Sequence, residues 1–357
     1  MANLTLASTG YTKEEEKVLN IYNWVDYIAP DTIDNFQKET GIKVQYDTFE
    51  DNEAVDMKLR SRRSGYDIVV PSSDWAKAQI DSGLLLKLDK TKIPNFKNLD
   101  PNILAKMRKA DPENAYLAGW LWGYTTIGLN VDKVFKALGS TPMPKNYWEL
   151  VLNPLYTKKL KSCGIMYLDS STDIIPITLS YLGRPAYSNN PADYEAATET
   201  LKKVRPDIGL ITSSGQAEKL MDQSYCIAIG WGGDFYRARS NSIEANNGQN
   251  IAPVFPKSGS LLFMDSMAIP RDAKHPNNAH LFINYILRPE VHANITNFTK
   301  FANPNKLAFP LVDISLKKDN SLFIAPQDFS RLTEPATLDA TMLKIRASAF
   351  EKFKAGN

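Results

Sequence analysis

Five segments of this chain place an aromatic ring beside a carboxylate at the end of a short β-like run. Trp24-Val25-Asp26-Tyr27 follows Val18 to Tyr22, and Asp74-Trp75 follows Ile68 to Pro71. Asp169 to Asp173, with Ser170 inside it, follows Ile165 to Leu168. Trp231-Gly-Gly-Asp234 closes Cys226 to Gly230, and Phe263-Met-Asp265 follows Leu261-Leu262. An organic ammonium wants both groups. A ring face offers roughly 0.5–2 kcal/mol of cation–π attraction, and a carboxylate at ~4 Å offers about 4 kcal/mol at an effective dielectric of ~20, before desolvation. Residues i and i+2 of a strand share a face, so Trp24 with Asp26, and Phe263 with Asp265, are expected to point together into one cleft. With 6 Trp, 16 Tyr and 15 Phe among 40 acids, a single pair is most often a core ring beside a solvated acid. Five pairs at strand ends, far apart in sequence, need a fold to gather them and point to a ligand with more than one positive end.

Other chemistries find less support. The 3 histidines, His275, His280 and His292, fall in one helical stretch among Lys and Asn and read as surface residues, which leaves no base for a Ser-His-Asp or Cys-His site. There is no phosphate-binding loop, and Gly230-Trp-Gly-Gly233 puts an indole where phosphate would need open amides. Adjacent tyrosines suited to iron(III) do not occur, and no metal or cofactor is expected. Carboxylates beside aromatics also suit glycoside hydrolysis. Four or five carboxylates, however, serve a polycation better than a neutral sugar.

The 357 residues exceed the size at which one core usually stops growing, so two lobes are expected. Hydrophobic residues make up 43% and charged residues 23%, the balance of an ordinary globular protein. A formal charge of +2 with dispersed Lys and Arg gives no reason to invoke nucleic acid; Arg60, Arg62 and Arg63, the densest basic cluster, read as a solvated face. No apolar run is long enough to cross a bilayer, and Met1 to Gly10 lacks the basic start and apolar stretch of an intact signal peptide. The 2 cysteines, Cys163 and Cys226, each flank a β-like run. They are either buried free thiols or one disulfide, and a bridge would contribute roughly 4 kcal/mol by the chain-entropy model.

Short β-like runs alternate with helical patterns, which predicts α/β lobes with largely parallel sheets. Val18 to Trp24, a helix from Pro30 to Thr40, Val44 to Asp47, a helix from Glu53 to Arg62 and Tyr66 to Pro71 form a βαβαβ unit; a further helix opens at Ser72-Ser73-Asp74. Asp74 suits either the cleft or the N-cap of that helix. The stretch from Leu121 to Asn130 reads as a crossing between lobes. The second lobe then contains the strands Gly164 to Leu168, Leu210 to Thr212 and Cys226 to Trp231 among helices. Leu262 to Ile269 returns the chain to the first lobe, and a C-terminal helix, Pro335 to Lys354, covers the second. The expected division is a flexible segment over 1–17, one lobe from 18–124 plus 262–304, a second from 128–258 plus 308–357, and hinge crossings near 125–127, 259–261 and 305–307.

At these residues the chain resembles the periplasmic putrescine/spermidine-binding proteins that serve ABC importers. The likeness runs from about Val18 to Lys354 and is carried by Tyr22-Asn-Trp-Val-Asp-Tyr-Ile-Ala-Pro30, Phe36-Gln-Lys-Glu-Thr-Gly-Ile42, Tyr66-Asp-Ile-Val-Val-Pro-Ser72, Leu160-Lys-Ser-Cys-Gly164, Ala228-Ile-Gly-Trp-Gly-Gly-Asp234 and Asn303-Pro-Asn-Lys306. It implies a two-lobed periplasmic-binding-protein fold of type II-like form with the ligand cleft between the lobes. The implied protein is a non-enzymatic receptor, expected as a monomer, that hands a polyamine or diamine to permease subunits. The resemblance further implies that Trp24 and Trp231 sandwich the alkyl chain with Phe263 nearby, that Asp26, Asp234 and Asp265 receive ammonium groups, and that Tyr27 adds a wall contact. It pairs Cys163 with Cys226, hence an oxidising compartment, the periplasm. Departures bear on the ligand: Val25 replaces a hydroxyl residue, Asp173 a Glu, Asp74 a Ser, Trp75 a Phe and Phe301 a Tyr. An added carboxylate at Asp74 would suit a longer polyamine or a guanidinium end. A receptor that signals polyamine levels to a regulator would need the same pocket.

Overall fold

The computed structural model describes residues 15–319, 322–324 and 326–356. The expected flexible segment therefore falls, for 1–14, outside the described residues. Glu15 is held: its carboxylate accepts from the backbone amides of Asn277 and Asn278 at the start of the helix Pro276–Ile286.

The first sheet is the βαβαβ unit. Strands β1 (Val18–Trp24), β2 (Lys43–Phe49) and β3 (Ile68–Val69) run parallel in the order β2-β1-β3. The helix Thr32–Thr40 crosses between β1 and β2, burying Phe36 against the rings of Phe282 and Tyr285. Its left-handed Gly41 (φ 70°) returns an amide to the Gln37 carbonyl, a stop that a Cβ-bearing residue would strain. The second crossover helix, Asn52–Arg60, starts a residue before the expected Glu53 because Asp51 caps it, accepting from the Ala54 amide at 2.7 Å.

The long strand β4 (Ala118–Asn130) is buried along its whole length and changes partners along the way. Its first half, to Tyr124, pairs with the returning strand Ser260–Met267; its second half, from Thr125, pairs with Ile227–Trp231 and Ile251–Val254. In chain order the remaining strands are β5 (Ile165–Tyr167), β6 (Leu210–Ile211), β7 (Ile227–Trp231), β8 (Ile251–Val254), β9 (Ser260–Met267) and β10 (Leu332–Thr333). The second sheet runs β10-β9-β4-β7-β5-β6, with β8 also on β4. All three partners of β4 are antiparallel to it, whereas the other five strand pairs among the described residues are parallel, so the sheets are largely parallel with an antiparallel centre. The parallel pairs β5 with β6 and β5 with β7 lie beyond it.

Apolar faces of the crossover helices close two main cores, one on β1 and one around β5 and β7. The C-terminal helix packs on the second through Met342, Ala349, Phe350 and Phe353. It begins at Ala340, not Pro335, because Asp339 caps it by accepting from the Thr341 and Met342 amides. Cys163 and Cys226 form a disulfide, with Cα atoms 5.4 Å apart, that ties the end of the helix Pro154–Leu160 to the start of β7.

The histidines are not surface residues. His292 is fully buried with Nε2 against the Trp120 carbonyl, and burial holds its imidazole down at about 4. His275 Nδ1 lies 3.0 Å from Asp67, and His280 Nε2 accepts the Asp89 amide at 2.9 Å. Polar flanking residues suggested exposure, but each imidazole buries its apolar body with at least one ring nitrogen partnered, and His292 keeps Nδ1 without a hydrogen-bond partner among the described residues.

Candidate functional site

The ends of β1, β5 and β7, the start of the helix Ser73–Asp81 and the middle of β9 border one cavity of about 670 Å³, within the range of small-molecule sites. Trp24, Asp26, Tyr27, Asp74, Trp75, Ser170, Asp173, Trp231, Asp234, Phe263, Asp265 and Phe301 all line it.

Phe263 and Asp265 share a face of β9 as alternation predicts. Trp24 and Asp26 do not: β1 ends at Trp24, and Asp26 turns into the left-handed region (φ 55°) with its side chain 66% exposed at the cavity mouth. An Asp tolerates that conformation better than most residues. Asp74, Asp173 and Asp234 occupy the first turns of the helices Ser73–Asp81, Ser171–Tyr181 and Gly232–Glu244. The N-cap of the first of these is Ser72, which removes the capping role considered for Asp74. Helix N-termini favour negative charge, so these three carboxylates are supported at the backbone end while the cavity desolvates them.

Hydrogen bonds orient the acids. Tyr27 Oη donates to Asp265 Oδ2 at 2.8 Å and Ser72 Oγ to Asp265 Oδ1 at 2.6 Å. Ser170 Oγ donates to Asp173 at 2.6 Å, and Thr125 Oγ1 donates to its other oxygen. Burial dominates the electrostatics: it pushes the Asp265 carboxyl up to about 7 against the pull of Ser72 and Tyr27, and the Asp234 carboxyl up to about 6 against the pull of Arg237. Burial also raises Asp74 and Asp173, which the Arg346 charge lowers in part.

The acids also repel one another: Asp26 destabilises charge on Asp234, both Asp265 and Asp234 raise Tyr27, Asp74 raises Asp265, and Asp173 raises Asp74. Five carboxylates border one cavity, which suits a cation with several charges. Rings flank the cavity. Trp24, fixed by a 2.9 Å bond from its Nε1 to the Val70 carbonyl, tilts on Phe49, and Phe301 meets Tyr27 and Phe263 edge-on at 5.1 and 6.0 Å. Phe263 approaches so closely that a Cβ at Gly123 would lie 2.6 Å from its ring.

Several lining residues were not anticipated. Glu53, Glu218 and Glu351 add negative charge around the cavity, Glu351 being paired with Lys354, and the half-buried Tyr187 lies near Asp74 and Asp173. Arg237 is the cation among the described lining residues. Its spacing of three from Asp234, one helical turn, was a signal available in the sequence.

The fold and this interlobe cleft define a two-lobed solute-binding protein of mixed α/β structure. The family model for bacterial extracellular solute-binding proteins matches residues 31–323, and the chain belongs to that family. It is 41% identical over 99% of its length to the putrescine-binding periplasmic protein PotF of Escherichia coli K12, covering 95% of that protein. To the putrescine-binding periplasmic protein SpuD of Pseudomonas aeruginosa it is 40% identical, over 96% of this chain and 93% of that one. Among solved structures, the spermidine/putrescine ABC transporter substrate-binding protein PotD of Streptococcus pneumoniae superposes with a TM-score of 0.79 at 27% identity, over 96% of this chain and 99% of that one. Among the described residues no helix is long and apolar enough to cross a membrane, and no His, Cys, Asp and Glu group could hold a metal ion.

Proposed function

We propose that this protein is the periplasmic receptor for a linear polyamine and delivers it to the permease of an ABC importer. The observation that carries the reading is one cavity bordered by five carboxylates, Asp26, Asp74, Asp173, Asp234 and Asp265, and walled by Trp24, Trp231, Phe263 and Phe301. Ammonium groups would meet the carboxylates, and the methylenes between them would lie on the rings. The names of the relatives support the same ligand class.

In this reading the lobes close on the ligand by hinge motion, with the crossings near 125–127, 259–261 and 305–307. The change of partners in β4 between Tyr124 and Thr125 supports the first of these. Residues from both sides must touch the ligand, because only a ligand that binds the closed form better can shift the balance toward it. We assign Trp24, Asp26, Phe263 and Asp265 to one lobe and Trp231, Asp234 and Asp173 to the other. The disulfide supports a location in an oxidising compartment.

Two experiments test this. Thermal unfolding of ligand-stripped protein should shift upward with a polyamine, by the equivalent of about 2.7 kcal/mol at a hundred times the dissociation constant. Deletion of the gene should abolish high-affinity polyamine uptake; intact uptake with lost transcriptional response would assign the protein to sensing instead.

A further inference from the structure

Two arginines act on these carboxylates. At the mouth Arg237, on the helix Gly232–Glu244, reaches Asp234 Oδ1 through Nη2 at 3.3 Å and Asp26 Oδ2 through Nη1 at 3.4 Å. Its side chain is 22% exposed and that of Asp26 66%, so the guanidinium stands where the cavity opens to solvent. It joins the turn after β1 to the helix after β7. Arg346 is buried, with no hydrogen-bond partner for Nε among the described residues, and lowers both Asp74 and Asp173.

We propose that Arg237 is a specificity-determining residue: a fixed cation that ties Asp26 to one oxygen of Asp234 and so limits how many positive charges, and hence what length, the bound amine can carry. This rests on the polyamine reading. A diamine can bridge Asp265 and the Asp234 oxygen that Arg237 does not contact. A longer amine brings a further ammonium toward Asp26, where it meets the guanidinium already paired there. Two such cations at ~6 Å and an effective dielectric of ~20–40 repel enough to cost about ten- to a hundredfold in affinity. The filter opposes the extra carboxylate of Asp74, which on its own would favour longer ligands.

The test is calorimetric titration of wild type, Arg237→Gln and Arg237→Lys with putrescine, spermidine and spermine at pH 8, above the values of about 6 for Asp234 and about 7 for Asp265. We expect Arg237→Gln to improve spermine and spermidine at least about tenfold relative to putrescine, and Arg237→Lys, which keeps the charge, to retain the wild-type ranking. Circular dichroism and the melting temperature verify that both variants fold. If Arg237→Gln weakens all three amines alike, or leaves their ratios unchanged, Arg237 is an interlobe latch and the inference is wrong while the receptor reading stands. If wild type binds none of the three, the receptor reading fails and takes this inference with it.

Discussion

Affinity for the amine should depend steeply on pH between 5 and 8, because two desolvated carboxyls, Asp265 and Asp234, hold protons that an ammonium must expel. In the free protein Asp265 sits at about 7 and Asp234 at about 6, both raised by burial. The amine, with a pKa near ~10 like that of lysine, stays charged throughout and contributes nothing to the dependence. Both acids are raised, so their ionised, binding-competent forms are complete above pH 8 and are lost as pH falls, first through 7 and then through 6. If the bound ligand keeps both ionised, the association constant falls about 20-fold from pH 8 to pH 6 and about 1000-fold from pH 8 to pH 5. Binding should release about 1.4 protons at pH 6 and about 0.1 at pH 8. Calorimetry in buffers of different ionisation enthalpy reads both quantities. The same dissociation constant from pH 5 to 8, with no proton release at pH 6, would refute the placement of the ammonium groups on these two acids.

Further outcomes follow from individual contacts. Ser72→Ala removes the 2.6 Å hydrogen bond that helps hold Asp265 ionised, so the upper limb of the pH profile should move to higher pH and affinity at pH 7 should drop about tenfold; an unchanged profile would show that the bond matters little. Gly233→Ala would put a methyl 2.4 Å from the Phe301 ring, which Tyr27 and Phe263 hold in place. It should cost about 1–3 kcal/mol and weaken amine binding together, and wild-type values in both would mean that the ring has room to move. Replacing both Cys163 and Cys226 by Ala removes a link between residues 63 apart and should cost roughly 4 kcal/mol in chemical denaturation, with the pocket intact at low temperature. A change below about 1 kcal/mol would show that the unfolded chain gains little freedom without the bridge.

Much of the site could be read in the sequence because its acids sit where local rules are strong. Asp234, Asp173 and Asp74 follow strand ends and fall in first helical turns, and Phe263 and Asp265 obey strand alternation. Asp26 escaped that alternation because β1 stops two residues before it and the chain turns through a positive φ, which no periodicity announces. The antiparallel course of β4 depends on which chains return to it, a property of topology and not of its own residues. His292 looked solvated because its neighbours are polar; its burial against the Trp120 carbonyl is a tertiary contact 172 positions away. Glu53 and Glu351 join the pocket only because a crossover helix and the C-terminal helix pass beside it, and their sequence surroundings resemble any solvated helix face.

The most direct measurement is isothermal titration calorimetry of refolded, ligand-stripped protein against putrescine, cadaverine, agmatine, spermidine and spermine, with Asp234→Asn alongside. We expect one-to-one binding of at least one of these amines with micromolar or tighter affinity, and a large loss in the variant, where a desolvated ammonium is left poorly paired. Folded protein that takes up none of the five, or an Asp234→Asn variant that binds as tightly as wild type, would contradict a pocket built for polyamines.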